Sequence, residues 1–88
     1  MKIKEGYVLR RVASKWVILP VGEAAANFNG MISLNDSGVL LWKALEEGKD
    51  SAALVDALMN EYEVEREIAE NDVKAFLVKL ANAGCIEE

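Results

Sequence analysis

At 88 residues the chain is long enough for one packed domain. Its 52% apolar content and single proline exclude disorder. With no histidine and one cysteine, Cys85, it excludes an internal disulfide, a multi-cysteine zinc site and chemistry built on an imidazole base. The net charge of −5 is unevenly spread: residues 1–15 hold Lys2, Lys4, Arg10, Arg11 and Lys15 against Glu5 alone. Such an asymmetry can guide a charged partner to one end of a molecule. No apolar run is long enough to span a membrane, and the first residues lack a signal-peptide core, so a cytoplasmic protein is expected.

In chain order, Tyr7–Val12 and Trp16–Leu19 are rich in β-branched and aromatic residues, and the polar pair Ser14-Lys15 between them predicts a hairpin. Pro20 cannot donate to a ladder and belongs at a strand end or on an edge. The small-residue stretch Glu23 to Asn27 gives no clear pattern. Asn29-Gly30 is the strongest turn signal, because both residues tolerate positive φ. It leads into a strand, Met31–Leu34.

From Asn35 the period changes to that of a helix. Asn35 suits the N-cap, and Gly38, Leu41, Trp42 and Leu45 recur at helical spacing before Gly48 stops the run. Asp50 caps a second helix that buries Leu54, Val55, Leu58, Met59 and Tyr62. A third, from about Glu65 to Ala83, buries Ala69, Val73, Phe76, Leu77 and Leu80 and stops at Gly84. Three strands followed by three helices predict an α+β fold of winged helix-turn-helix type, with a short antiparallel N-terminal sheet.

Such a fold raises DNA binding, but a reading helix normally carries Lys or Arg. The second helix holds Asp50, Asp56 and Glu61 with no base inside it, and the third holds Glu65, Glu67, Glu70 and Asp72 against Arg66, Lys74 and Lys79. A small winged-helix nucleic-acid-binding regulator is therefore the alternative reading. An enzyme is not expected: the carboxylates sit mainly on helical polar faces, the glycines are isolated, and no catalytic, cofactor or metal set stands out. A binding module remains. The strand Met31–Leu34, held by a turn at one end and a helix cap at the other, is a pre-organised edge for an extended peptide. Ile68, Asp72, Ala75 and Lys79 lie along one edge of the third helix's buried stripe and could form a second wall. The same exposed edge could pair with a second copy, which leaves a homodimer open.

Two stretches, "VLRRVASKWVILPVGEAAANFNGMISLNDSGVLLWKALEEG" and "EYEVEREIAENDVKAFLVKLANAGCIEE", resemble the PqqD-like family, also called the RiPP recognition element and named for coenzyme PQQ synthesis protein D. The most specific pieces are Leu34-Asn35-x-x-Gly38-x-x-x-Trp42 and Asp72-Val73-x-x-Phe76-Leu77-x-x-Leu80 with a closing Gly84. The resemblance implies a non-catalytic chaperone that binds the leader segment of a ribosomally synthesised precursor peptide. It presents that leader to a modifying enzyme, often a radical S-adenosylmethionine protein, here on a separate chain, as in PQQ biosynthesis. It also implies that the leader pairs with the third strand beside the third helix. The expected peptide-binding set is then Gly30, Met31, Ile32, Ser33, Leu34, Ile68, Asp72, Ala75, Phe76 and Lys79.

Overall fold

The computed structural model describes residues 2–26 and 31–87. The elements are β1 (Lys2–Ile3), β2 (Tyr7–Val12), β3 (Lys15–Pro20), a 3-10 turn (Gly22–Ala26), β4 (Ile32–Leu34), α1 (Asp36–Glu46), α2 (Ser51–Glu61), α3 (Arg66–Ala83) and β5 (Ile86–Glu87). Strands β2, β3 and β4 form an antiparallel sheet in that order, and β1 pairs with β5 as a separate two-stranded ribbon. The α+β arrangement expected from the period change is the one observed, an N-terminal sheet followed by three helices.

The hairpin is placed one residue earlier than the polar pair suggested. Val12 pairs with Lys15, so the two-residue turn is Ala13-Ser14, and Lys15 opens β3. Ala13 takes φ +58, a left-handed conformation that usually falls to glycine, asparagine or aspartate. Alanine gives no turn signal, which is why its neighbours misled. Replacing Ala13 with glycine is expected to raise stability by about 0.5–1 kcal/mol, since the Cβ penalty at positive φ disappears. A urea melt of the two proteins measures it.

Pro20 ends β3 opposite Tyr7, as its missing amide requires. The strand expected over Met31–Leu34 is one residue shorter, with 56% exposed Met31 just before it. Leu34 then passes directly into the N-cap of α1. Asn35 holds extended geometry, and its Oδ1 accepts from the Gly38 amide and the Ser37 hydroxyl, both at 2.9 Å. Asp50 caps α2 in the same way through the Ala53 amide. Loss of the first cap in Asn35→Ala should cost about 1 kcal/mol by thermal or urea unfolding.

The junction is tight for a packing reason. A Cβ on Gly38 would lie 3.2 Å from Leu34 Cδ2 and 3.3 Å from Asn35 Oδ1. Glycine lets the first turn of α1 sit against the strand that feeds it, and Trp42, one turn further on, is fully buried. Around Trp42 the core joins Ile18, Ile32 and Leu34 of the sheet to Leu41, Leu45, Leu54, Leu58, Val73, Phe76 and Leu80 of the helices. Met59, Tyr62 and Leu77, expected in the core, pack against it with part of their surface in solvent. Gly48 and Gly84 follow α1 and α3 with φ +85 and +80, the left-handed geometry that ends a helix.

The terminal ribbon was not foreseen, because two-residue strands have no period to read. Ile3 pairs with Ile86, and the Lys4 amide donates to the Cys85 carbonyl at 2.9 Å. Cys85 and Ile86 thereby enter the core from the far end of α3. Burial pushes the Cys85 thiol above its ordinary value, against a smaller lowering by the Lys4 ammonium. A buried thiol of raised pKa is a poor nucleophile, and Cys85 serves as a small apolar residue of the core.

Candidate functional site

Which backbone groups β4 offers to a partner follows from the hairpin. A two-residue turn closes on a hydrogen-bonded pair, here Val12 and Lys15. Along an antiparallel ladder such pairs alternate with non-bonded ones, so on β3 Lys15, Val17 and Leu19 turn their amides and carbonyls toward β2. Trp16 and Ile18 therefore turn theirs toward β4, where they meet Leu34 and Ile32. Ser33, opposite Val17, is left with its N–H and C=O directed to the open edge. An independent observation agrees: the Ser33 carbonyl accepts from Lys79 Nζ at 3.3 Å, across from α3.

The same parity turns Leu9 and Arg11 outward at the other edge of the sheet. There the Leu9 carbonyl accepts from Arg10 Nη1 at 3.0 Å, and Arg10 and Arg11 are exposed. Charged side chains on a strand edge oppose pairing with another strand of like charge. The two edges thus differ in kind, one guarded by arginines and one facing a helix.

Between the β4 edge and α3 runs an open groove of about 620 Å³. One wall is the backbone of Ser33, Leu34 and Asn35. The other is the α3 face bearing Asp72, Ala75 and Lys79. Leu34, Leu41, Leu58 and Phe76 supply its apolar lining, and Gly38 and Ser37 lie at the start of α1. The absent side chain of Gly38 therefore has two effects: it allows the strand–helix junction and leaves space in the groove. Phe76 is 8% exposed, part of the core and of the groove at once.

Charge within the groove is mixed. Asp72 and Lys79 are exposed on α3, and Lys15 reaches the groove from the start of β3. The ion pairs among the described residues, Lys49–Glu47 and Arg66–Asp56, lie elsewhere, so Asp72 has no ionic partner there. Above the sheet's basic end, the Trp16 ring lies 5.7 Å from the Arg11 guanidinium and 5.8 Å from the Lys43 ammonium. Both cations lie within the roughly 6 Å at which an indole face attracts them. Lys15, notable in the sequence only for the basic N-terminal stretch, is brought to the groove by its place at the start of β3.

Of the residues expected to bind a peptide, Ser33, Leu34, Asp72, Ala75, Phe76 and Lys79 line this groove. Met31 lies beside it in sequence and is exposed, whereas Ile32 is 7% exposed and points into the core. Ile68 is exposed but does not line the groove. Gly30 and the Asn29-Gly30 turn lie outside the described residues. Among the described residues no three His, Cys, Asp or Glu side chains cluster so as to hold a metal, and no helix is long and apolar enough to cross a membrane.

Two solved structures resemble the chain over nearly its whole length. TbiB1, in complex with the TbiA(beta) leader peptide, is 33% identical with a TM-score of 0.80, covering 99% of this chain and 95% of that one. A lasso peptide synthetase B1 complexed with its leader peptide is 25% identical with a TM-score of 0.78, covering 99% and 96%. No curated protein matches the sequence. The family model for coenzyme PQQ synthesis protein D matches residues 15–86, from the first residue of β3 to the first of β5, and the chain belongs to the PqqD family.

Proposed function

We propose that this protein is a non-catalytic peptide-binding chaperone. It captures the leader of a ribosomally made precursor and presents it to a modifying enzyme on a separate chain. The observation that carries this reading is the outward Ser33 amide and carbonyl, set on an edge strand that faces an apolar-lined groove. An extended peptide added there gains main-chain hydrogen bonds from the edge and side-chain selectivity from the groove. The edge is anchored by the α1 cap at Asn35, so little ordering entropy is lost on pairing.

Both solved relatives hold leader peptides, and one is a lasso peptide synthetase B1. That favours a lasso-type precursor as the first leader to test, ahead of a PQQ precursor. A radical S-adenosylmethionine enzyme, the frequent partner in the wider family, is then one class of modifying enzyme among several. Presentation to an enzyme within one cell is consistent with a cytoplasmic location.

The test is a proton–nitrogen NMR titration with leader peptides encoded beside the gene. Shifts concentrated at Met31–Leu34 and along Asp72–Lys79 are expected. Silence toward every such peptide, with shifts on adding duplex DNA, would overturn the reading in favour of a nucleic-acid regulator.

A further inference from the structure

We infer that the groove reads a charge pattern in its peptide, in a fixed direction: an acidic side chain at Lys79 and, three or four residues toward the peptide's N-terminus, a basic one at Asp72. This rests on the peptide-binding reading above and deepens it.

The starting point is a conflict at one oxygen. Lys79 Nζ lies 3.3 Å from the Ser33 carbonyl, and that carbonyl is the acceptor an incoming strand must use. A strand amide approaching along the edge meets the ammonium in the space it needs. The Lys79–Ser33 hydrogen bond is long and exposed, so the ammonium is readily moved. Once moved it lies at the groove rim beside the bound peptide, and a carboxylate is the group that best replaces its lost acceptor.

Asp72 provides the second pole. It shares the groove with Lys79 and also borders the start of α1, near Asn35, Asp36 and Ser37. Passing from Ser33 to Asn35 along β4 therefore means passing from Lys79 back to Asp72 along α3. The two elements run in opposite directions. Asp72 and Lys79 are seven positions apart on α3, a rise of about 10 Å, which an extended strand covers in about three residues. Every strand pair among the described residues is antiparallel, and a peptide added to β4 in that sense runs from the Asp72 end to the Lys79 end. Its basic residue therefore precedes its acidic one. Lys15 opens β3 toward the Asn35 end of the groove, and the ammonium that meets the Ser33 carbonyl is that of Lys79.

The experiment uses the full chain and a synthetic leader of the precursor encoded beside its gene. Each Asp or Glu of that leader is replaced singly by its amide, and each Lys or Arg by glutamine. Dissociation constants are then measured at low salt for the wild type, Lys79→Met and Asp72→Asn. One acidic position should weaken wild-type binding about fivefold when neutralised, yet by less than twofold against Lys79→Met. One basic position, three or four residues earlier, should show the same relation to Asp72→Asn. Both protein variants change exposed side chains, and unchanged melts establish that they fold. The inference is overturned if no single neutralisation matters to the wild type, if its effect persists in Lys79→Met, or if the basic residue follows the acidic one. Failure of the unmodified leader to bind the wild type at all would instead defeat the peptide-binding reading on which it rests.

Discussion

Ser33→Pro is expected to weaken leader binding by at least about tenfold while the far-ultraviolet circular dichroism spectrum stays that of the wild type. Proline removes the one N–H that β4 turns to the open edge opposite Val17, and its ring occupies the approach of a pairing strand. Loss of one such hydrogen bond is worth about 1 kcal/mol, and the steric block adds to it. The fold should survive because proline is tolerated on an edge whose missing amide faces solvent. Ser33→Ala keeps both backbone groups and should bind within about twofold of wild type.

The contrasting variant is Ile32→Pro. Ile32 pairs with Ile18 at a hydrogen-bonded position, and its side chain is 7% exposed. Proline there breaks the β3–β4 ladder and disturbs the core, so loss of binding would accompany loss of structure. Isothermal titration with both variants, each checked by circular dichroism, separates the edge from the fold. A folded Ser33→Pro protein that binds like wild type would remove the edge-strand model.

Trp42→Ala should cost about 3–5 kcal/mol, a large part of the stability of a domain this small. Trp42 is fully buried where α1 meets the sheet, and its loss leaves a cavity that close-packed neighbours cannot fill. Trp42→Phe should cost about half as much or less, for two reasons. It keeps a ring in the space, and it removes an indole Nε1 that is buried without a hydrogen-bond partner among the described residues. Urea denaturation followed by circular dichroism gives both values. A loss below about 1 kcal/mol for the alanine variant would mean that the junction is not the keystone its burial implies.

That junction explains why strand and helix are fused so closely. Asn35 caps α1 while Leu34 is still in the sheet, Gly38 allows the first turn to approach, and Trp42 ties both to the core. A leader strand paired with β4 would therefore lie on backbone already held in place by the helix that follows it. The guarded β2 edge gives no comparable support. The like charge of Arg10 and Arg11 along that edge disfavours a homodimer through β2.

The local parts of this architecture were legible in the order of the residues. Helical spacing places Leu41, Trp42, Leu45, Leu54, Leu58, Val73, Phe76 and Leu80 inside. Asn35 and Asp50 mark the helix starts, and Gly48 and Gly84 the stops, because capping and periodicity act over a single turn. What the tertiary structure alone decided depends on distant partners. Alanine at a left-handed position sets the hairpin register, and that register determines that Ser33 rather than Ile32 faces outward. The ribbon of Lys2–Ile3 with Ile86–Glu87 joins the two ends of the chain, and Lys79 reaches a carbonyl 46 residues earlier. Such contacts leave no period in the sequence, because the groups that make them meet only after the helices have packed on the sheet.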